Sequence, residues 1–181
     1  RQRQMCIRDR LLFTAHSVPV AHDNVGGAEG DKNLYSRQVA EAARLVALQA
    51  GISDYDLVWQ SRSGNPRTPW LEPDIVDHTT DIHHNEGVDT VVVCPIGFIS
   101  DHMEVIWDLD SGLQKAAEDM GVRVVRTRTV GPTPRFAEMV VDLIEELEHG
   151  REQETSGQVT VQGCTLNGAP CAAGCCDIWS L

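Results

Sequence analysis

Short apolar runs alternate with longer amphipathic segments along most of the chain. Four runs are continuous enough to be strands buried on both faces, at residues 11–15, 57–60, 90–95 and 122–125. Between them, apolar residues recur at intervals of three and four, which is the period of a helix. Helices are predicted over residues 39–50, from about residue 73, over 112–120 and over 134–149. This alternation predicts an α/β fold in which a parallel sheet has helices on both faces.

Local signals mark the ends of two predicted helices. Gly51 and Gly150 follow the last apolar positions of their helices, where glycine commonly adopts the left-handed C-cap conformation. Thr133 precedes Pro134, and proline is favoured at the first helical position. Residues 22–31 are polar and rich in glycine, so we predict a loop there.

Composition excludes two classes of partner. The chain has 181 residues, 41% of them apolar, which suits one domain with a substantial core. Its net charge is −12, and its Lys and Arg residues are scattered, whereas nucleic-acid-binding proteins present a basic face. The longest apolar stretch, residues 91–99, is far too short to span a membrane. We therefore expect a cytoplasmic protein with no nucleic-acid partner and no membrane span.

The two ends of the chain differ from the body between them. Residues 1–10, RQRQMCIRDR, are basic and lack periodicity. They resemble a translated sequencing adapter, so we treat them as non-native and exclude them from the fold. Residues 11–150 form the predicted domain, and residues 151–181 form a polar, cysteine-rich tail. We expect the native chain to begin well upstream, so this domain would be the carboxyl-terminal part of a larger protein.

Two side chains with useful chemistry follow predicted strands. His16 comes directly after the first apolar run, and Glu104 lies shortly after the third. In a parallel sheet the carboxyl ends of the strands share one edge, where ligands bind in a crevice. An imidazole and a carboxylate at that edge suit proton removal or the binding of a divalent metal. A histidine that only hydrogen-bonds a loop carbonyl is the alternative.

Three carboxylates follow the third run at helical spacing. Asp101, Glu104 and Asp108 are related as i, i+3 and i+7, which predicts that they share one helix face. Asp101 and Glu104 also have the spacing of a capping box, but capping does not account for Asp108. Such a row of acids would guide and hold a divalent ion such as Fe²⁺.

Two aromatic residues and two arginines fall in loops at the same edge. Trp70 and Phe98 would either pack within these loops or form walls for a flat apolar substrate. Arg62 and Arg67 would either bind substrate carboxylates or remain solvated.

The cysteines are concentrated near the carboxyl terminus. Four of them fall within thirteen residues, Cys164, Cys171, Cys175 and Cys176. In a cytosolic enzyme, two adjacent cysteines favour a metal or cluster site over a disulfide framework. Zinc ligation and free thiols are the alternatives.

Three segments resemble one known family, in the same order along the chain. TAHSVP, QSRSG followed by PWLEP, and CPIGFISDHMEVIWDLD are similar to segments of the carboxyl-terminal half of ferrochelatases. The resemblance is strongest to the actinobacterial type, which inserts iron into coproporphyrin III, and it extends from Leu11 to about Gly150. It implies a chelatase fold of two Rossmann-like lobes with a porphyrin bound between them. This chain would be one lobe, and its partner would be the missing amino-terminal lobe of the same polypeptide.

The resemblance also implies roles for individual residues. His16 and Glu104 match the family's active-site histidine and glutamate, and together with Asp108 they would bind Fe²⁺ as the substrate metal. The porphyrin pocket would include Tyr35, Trp70, Phe98, Asp101 and His102. Gly112 stands where some relatives continue the acidic row, so the metal path would be shorter or would use Asp110.

The tail has a counterpart in the same family. Actinobacterial ferrochelatases carry a [2Fe–2S] cluster that takes three cysteines from such a tail and one from the segment before the active-site histidine. The resemblance therefore implies a cluster held by residues among Cys164, Cys171, Cys175 and Cys176.

Two further functions are alternatives to iron insertion into coproporphyrin III. One is a chelatase of the same fold that acts on cobalt or on a sirohydrochlorin-type ring. The other is a non-catalytic α/β module that senses iron or redox state through the tail. Because one lobe alone lacks a wall of the cleft, we expect the chain by itself to chelate poorly.

Overall fold

The computed structural model describes residues 9–26, 32–152, 154, 156 and 157. Four strands form one sheet, β1 (Asp9–His16), β2 (Tyr55–Gln60), β3 (Thr90–Cys94) and β4 (Arg123–Arg126). Their order is β2-β1-β3-β4, and each neighbouring pair is parallel. The predicted α/β class with a parallel sheet is thus confirmed.

Helices connect the strands and cover the sheet. They are α1 (Val20–Val25), α2 (Leu34–Ala50), α3 (Ile75–Glu86), α4 (Met103–Val105), a π-helix (Ile106–Leu113), α5 (Gln114–Met120) and α6 (Pro134–His149). The helix α2 packs on one face of the sheet, whereas α3, the π-helix and α5 pack on the other.

The central strand β1 is buried on both faces because its side chains alternate between two clusters. Leu11 and Phe13 pack with Ala43 and Ala47 of α2. Leu12 points to the opposite face, where it joins a larger cluster with residues of β2, β3, α3, the π-helix and α5. This explains why the run at residues 11–15 is continuous rather than alternating.

The helix ends follow the signals in the sequence. Gly51 and Gly150 adopt left-handed φ values of 69° and 62° after α2 and α6. The Thr133 side chain accepts a hydrogen bond from the backbone N–H of Phe136 at 3.3 Å, which caps α6.

Several boundaries differ from the prediction, including the starts of α2 at Leu34 rather than residue 39 and of β2 at Tyr55 rather than residue 57. His22 lies in the short helix α1 rather than in a loop, and the Asp23 carboxylate just after it accepts hydrogen bonds from Ser36 and Asn33 at the start of α2. The strand β1 begins at Asp9 instead of residue 11, and Arg10 forms ion pairs with neighbouring acids. The non-native origin of residues 1–10 and the division of the chain into segments stay predictions.

The helix α6 has an apolar face that no described residue covers. None of its residues is buried, and Leu143 and Leu147 are 52% and 83% exposed. Near its first turn a cavity of about 780 Å³ is lined mainly by apolar groups, including Ile99, Pro132 and Phe136. Within the described segments, no helix combines the length and apolar content that crossing a membrane requires.

Candidate active site

His16 and Glu104 meet at the carboxyl edge of the sheet. His16 is the last residue of β1, and Glu104 lies in α4, after the loop that follows β3. The His16 Nε2 atom is 3.2 Å from the Glu104 Oε1 atom, and the two side chains are 36% and 46% exposed. The predicted convergence of these residues is therefore present, and it leaves both groups accessible to a ligand.

Hydrogen bonds around β1 set the orientation of the His16 ring. The Nδ1 atom lies against the Ser17 carbonyl oxygen, which can only accept, so a hydrogen bond between them requires the hydrogen on Nδ1. The neutral ring then presents its Nε2 lone pair toward Glu104. An ionised carboxylate facing that lone pair is favourable only when a proton or a cation lies between them. The geometry thus prepares a place for one positive charge.

Tyr35 also stabilises the carboxyl end of β1. Its hydroxyl donates a hydrogen bond of 2.7 Å to the His16 carbonyl oxygen, and its ring packs 5.8 Å from that of Trp59. Burial, together with the nearby Asp23 charge, raises the pKa of Tyr35, so its hydroxyl remains a donor. Sequence reasoning expected Tyr35 in the porphyrin pocket, and the contact observed here is with the backbone of His16.

A close backbone approach, which sequence reasoning missed, brings the loop after β3 over β1. The Gly97 N–H donates to the Thr14 carbonyl at 3.2 Å. A Cβ at Gly97 would lie 2.5 Å from the Ala15 Cβ. Only glycine therefore fits at position 97, where the loop crosses Ala15, the residue before His16. The signal in the sequence was the glycine of PIG in the third motif, since glycine shortly after a strand indicates a close backbone approach.

The acidic row is not a single helix face. His102 is the N-cap of α4, and its ring accepts from the Glu104 N–H at 3.2 Å, so Asp101 does not form the predicted capping box. Asp101 lies before the helix, and Asp108 lies in the π-helix, whose wider turn shifts its residues from α-helical positions. The expectation that all three acids share one helix face is wrong for Asp101, which precedes α4, whereas Glu104 and Asp108 both lie in helical residues.

Asp108 is held by a residue that follows strand β2. The Ser61 hydroxyl donates a short hydrogen bond to the Asp108 Oδ2 atom. Ser61 directly follows β2 and has a left-handed φ of 65°, which is unfavourable for a residue with a side chain. Such strain is commonly maintained at functional sites. Sequence reasoning missed Ser61, although it stands in the QSRSG motif.

Arg126 binds the other two acids of the region. At the end of β4, it donates hydrogen bonds to both oxygens of Asp110 and, at 2.8 Å, to the Asp101 Oδ1 atom. Both oxygens of Asp110 are therefore occupied by the guanidinium, unlike in the metal path considered above. Arg126 lies outside every recognised motif, so only the structure reveals these contacts.

The other predicted pocket residues lie in the loops around this edge. The Phe98 and His102 rings are 5.3 Å apart in an edge-to-face arrangement. Trp70 pairs with Pro19 through a backbone bridge, and its Nε1 atom is buried without a hydrogen-bond partner among the described residues. Arg62 lies 3.8 Å from Glu72, and Arg67 is exposed.

The predicted cluster ligands Cys164, Cys171, Cys175 and Cys176 lie outside the described residues. Cys94 is half-buried in the sheet, and burial raises the pKa of its thiol. Where the structure describes the chain, no three His, Cys, Asp or Glu side chains lie close enough together to hold a metal ion. His16 and Glu104 alone would form an incomplete coordination shell.

Comparison with known proteins identifies relatives of this chain. The family model for ferrochelatase matches residues 1–148. The coproporphyrin III ferrochelatase of Corynebacterium glutamicum strain R is 58% identical over 167 residues, which are 92% of this chain and 45% of that protein. Those of Nocardia farcinica and Mycolicibacterium smegmatis are 55% and 50% identical, with 93% and 92% of this chain and 48% of each relative covered.

The chain thus spans less than half the length of these curated relatives. The match nevertheless extends through β1, the loop after β3 and the π-helix, which carry His16, Glu104 and Asp108. On this evidence the chain belongs to the ferrochelatase family.

Proposed function

We propose that this chain is the carboxyl-terminal half of a ferrochelatase that inserts Fe²⁺ into coproporphyrin III to give coprohaem. The observation that carries the proposal is the 3.2 Å approach of His16 Nε2 to Glu104 Oε1 at the open edge of a parallel sheet. The names of the relatives support coproporphyrin III as the porphyrin. They also favour iron over the cobalt and sirohydrochlorin-type alternatives.

Metal insertion exchanges one divalent cation for two protons. The porphyrin loses the hydrogens of two pyrrole nitrogens, and Fe²⁺ takes their place. The Nε2 atom of His16 accepts the two pyrrole protons one after the other, because its Nδ1 hydrogen is directed to the Ser17 carbonyl. Glu104 stabilises the resulting imidazolium and passes each proton toward solvent, to which it is 46% exposed.

The carboxylates also suit the delivery of Fe²⁺. Glu104 and Asp108 are oxygen ligands on successive turns, and the Ser61 hydroxyl fixes the orientation of Asp108. Two protein ligands hold the ion only partly, so the porphyrin nitrogens can complete its coordination. A complete site would compete with the product, whereas this one releases the metal.

The porphyrin pocket would use the loops above the sheet. Phe98, His102 and Trp70 would line it, Asp101 would lie at its rim, and Tyr35 would support its floor through His16. Arg62 and Arg67 would pair with the carboxylates of the porphyrin, because guanidinium binds carboxylate through two parallel hydrogen bonds. These assignments rest on the placement of the residues around His16 and on the family.

The amino-terminal half of the polypeptide would supply the other wall of the cleft. The relatives are about twice as long as this chain. The uncovered apolar face of α6 and the adjoining cavity of about 780 Å³ are suited to cover by such a lobe.

Turnover by a joined enzyme tests the proposal. The amino-terminal half of the Corynebacterium glutamicum relative is fused to residues 9–181, and the Soret band is followed under anaerobic conditions with Fe²⁺ and coproporphyrin III. We expect turnover in the fusion and little in the isolated chain. His16→Ala and Glu104→Gln should each reduce kcat by roughly 100-fold or more.

Two matched variants serve as controls. His84→Ala and Glu118→Gln change an exposed histidine on α3 and an exposed glutamate on α5, and both should leave turnover intact. Equal activity in all four variants, or no turnover in the fusion, would contradict the proposed function.

We infer further that the tail holds a [2Fe–2S] cluster through residues among Cys164, Cys171, Cys175 and Cys176. Four thiols within thirteen residues supply the donor type that such a cluster requires. Iron and acid-labile sulfide in equal amounts, with an electron paramagnetic resonance signal after reduction, are expected from anaerobically purified protein. Bound zinc or unligated thiols would contradict this assignment.

A further inference from the structure

Through its guanidinium, Arg126 connects the end of strand β4 to two acids, Asp101 and Asp110. Its Nε and Nη2 atoms donate to the two oxygens of Asp110 at 2.5 and 2.7 Å, and its Nη1 atom donates to Asp101 Oδ1 at 2.8 Å. The Arg126 side chain is 17% exposed, and its partners Asp101 and Asp110 are 34% and 38% exposed. Arg126 itself ends β4 and is therefore attached to the sheet.

The two acids lie on either side of the predicted catalytic carboxylates. Asp101 precedes Glu104 by three residues, and Asp110 follows Asp108 by two. Arg126 thus holds the segment that carries Glu104 and Asp108 at both of its ends. A displacement of this segment would require breaking contacts to both acids.

The same segment is also held by residues at the ends of β1 and β2, on the opposite side of β3 from Arg126. Ser61, directly after the edge strand β2, donates to Asp108, and His16 at the end of β1 faces Glu104. Since β2 and β4 are the two edge strands, the segment is fixed across the full width of the sheet. The distance between His16 and Glu104 is determined by these attachments together.

Arg126 also separates the four carboxylates into two pairs by charge. Partial desolvation opposes ionisation of Asp101, but the hydrogen bond and charge of Arg126 outweigh it and lower the pKa of Asp101. The hydrogen bond from Arg126 to Asp110 in turn raises the pKa of the arginine. Asp101 and Asp110 therefore share the single positive charge of Arg126, whereas Glu104 faces His16 and Asp108 accepts from Ser61.

We propose that Arg126 is a positioning residue that, through its bonds to Asp101 and Asp110, holds Glu104 in register with His16. This inference rests on the proposed function, because it assigns Arg126 to the geometry of that site. It also explains why Asp110 does not continue the metal path: its oxygens are engaged in this contact.

Replacing Arg126 by lysine separates geometry from charge. Lysine keeps the positive charge, but its single ammonium group lacks the planar fork that reaches both Asp110 oxygens and Asp101 at once. Arg126→Lys should therefore lower kcat in the joined enzyme by roughly 10- to 100-fold, as losses of outer hydrogen-bonding partners do at metal sites. Arg126→Gln should lower it at least as much, and the KM for coproporphyrin III should change little in both.

Arg10 provides a matched control at the opposite edge of the same sheet. It is 16% exposed and forms ion pairs with three carboxylates, Asp54 at 3.7 Å, Asp56 at 3.0 Å and Glu86 at 2.5 Å. Arg10→Lys should lower the melting temperature about as much as Arg126→Lys while leaving kcat unchanged. Equal effects of both variants on kcat would show that Arg126 acts only through stability.

A second measurement does not depend on turnover. In the isolated chain, nuclear Overhauser contacts between the His16 ring and the Glu104 side chain report the 3.2 Å distance between their Nε2 and Oε1 atoms. These contacts should be lost in Arg126→Lys and retained in Arg10→Lys. Their persistence, or full kcat in Arg126→Lys, would overturn the inference. If instead His16→Ala and Glu104→Gln leave turnover intact, the proposed function itself has failed.

Discussion

At the scale of single residues, the Tyr35 hydroxyl holds the main chain of His16. Tyr35→Phe removes only the donor of the 2.7 Å hydrogen bond to the His16 carbonyl. We expect a loss of about 0.5–1.5 kcal/mol in the free energy of unfolding and a fall in kcat, because the strand end becomes less restrained. Denaturant titration and turnover in the joined enzyme measure the two effects.

Tyr55→Phe is the control for this change, since Tyr55 begins β2 at the opposite edge of the sheet. It should leave kcat unchanged. If both variants have the same kcat, Tyr35 does not position His16.

Asp101 gives a pH dependence that follows from one side chain. Partial desolvation of this carboxyl is outweighed by Arg126, so its pKa is lowered in the folded protein from the ordinary value of 3.8. A lowered folded pKa contributes stability that is present above pH 3.8 and is lost as the pH falls through and below that value. Melting temperatures between pH 6 and pH 3 should therefore decline less in Asp101→Asn than in the unchanged chain.

The exposed Asp119 at the end of α5 offers a comparison for Asp101, because its partner is Lys115 and not Arg126. Asp119→Asn should follow the unchanged chain through the acid range. An identical acid profile for Asp101→Asn would remove Arg126 as the cause.

At the scale of elements, two glycines of the same motif region have opposite tolerance for a side chain. A Cβ at Gly97 would lie 2.5 Å from Ala15 Cβ, so Gly97→Ala forces the loop and β1 apart. We expect a loss of about 1–3 kcal/mol in unfolding free energy, together with reduced turnover because His16 is adjacent. Chemical denaturation of the isolated chain and kcat of the joined enzyme test this.

Gly112 lies inside the π-helix, where a Cβ would meet nothing closer than the Trp107 carbonyl at 3.5 Å. Gly112→Ala should therefore stabilise the chain by about 0.5–1 kcal/mol, because alanine loses less backbone entropy on folding. A destabilised Gly112→Ala would show that the π-helix requires glycine there.

At the scale of the whole molecule, α6 is a long helix in which no residue is buried. Leu143→Asp and Leu147→Asp should change the stability of the isolated chain by less than about 0.5 kcal/mol, since neither side chain is buried. The same variants should abolish binding to the separately expressed amino-terminal half of the Corynebacterium glutamicum relative, as measured by calorimetry.

Glu138→Gln, an exposed change on the same helix, is the control and should bind normally. Unchanged binding in all three variants would place the other half of the enzyme on a different surface of this lobe.

The order of the elements could be predicted from the sequence because it depends on local patterns. Continuous apolar runs in β1 and β3 indicated strands buried on both faces, and glycines 51 and 150 marked helix ends. The meeting of His16 and Glu104 followed from the same patterns, since parallel strands place their carboxyl ends at one edge. The family resemblance rested on residues in these same segments.

Only the tertiary structure decided which side chains each acid of the site contacts. Sequence spacing predicts that Asp101, Glu104 and Asp108 share one helix face, but Asp101 precedes the helix that His102 caps. Arg126 is far from these acids in sequence and reaches them only because β4 lies beside β3 in the sheet. Local periodicity carries no information about such long-range contacts, and the charge balance of this site depends on them.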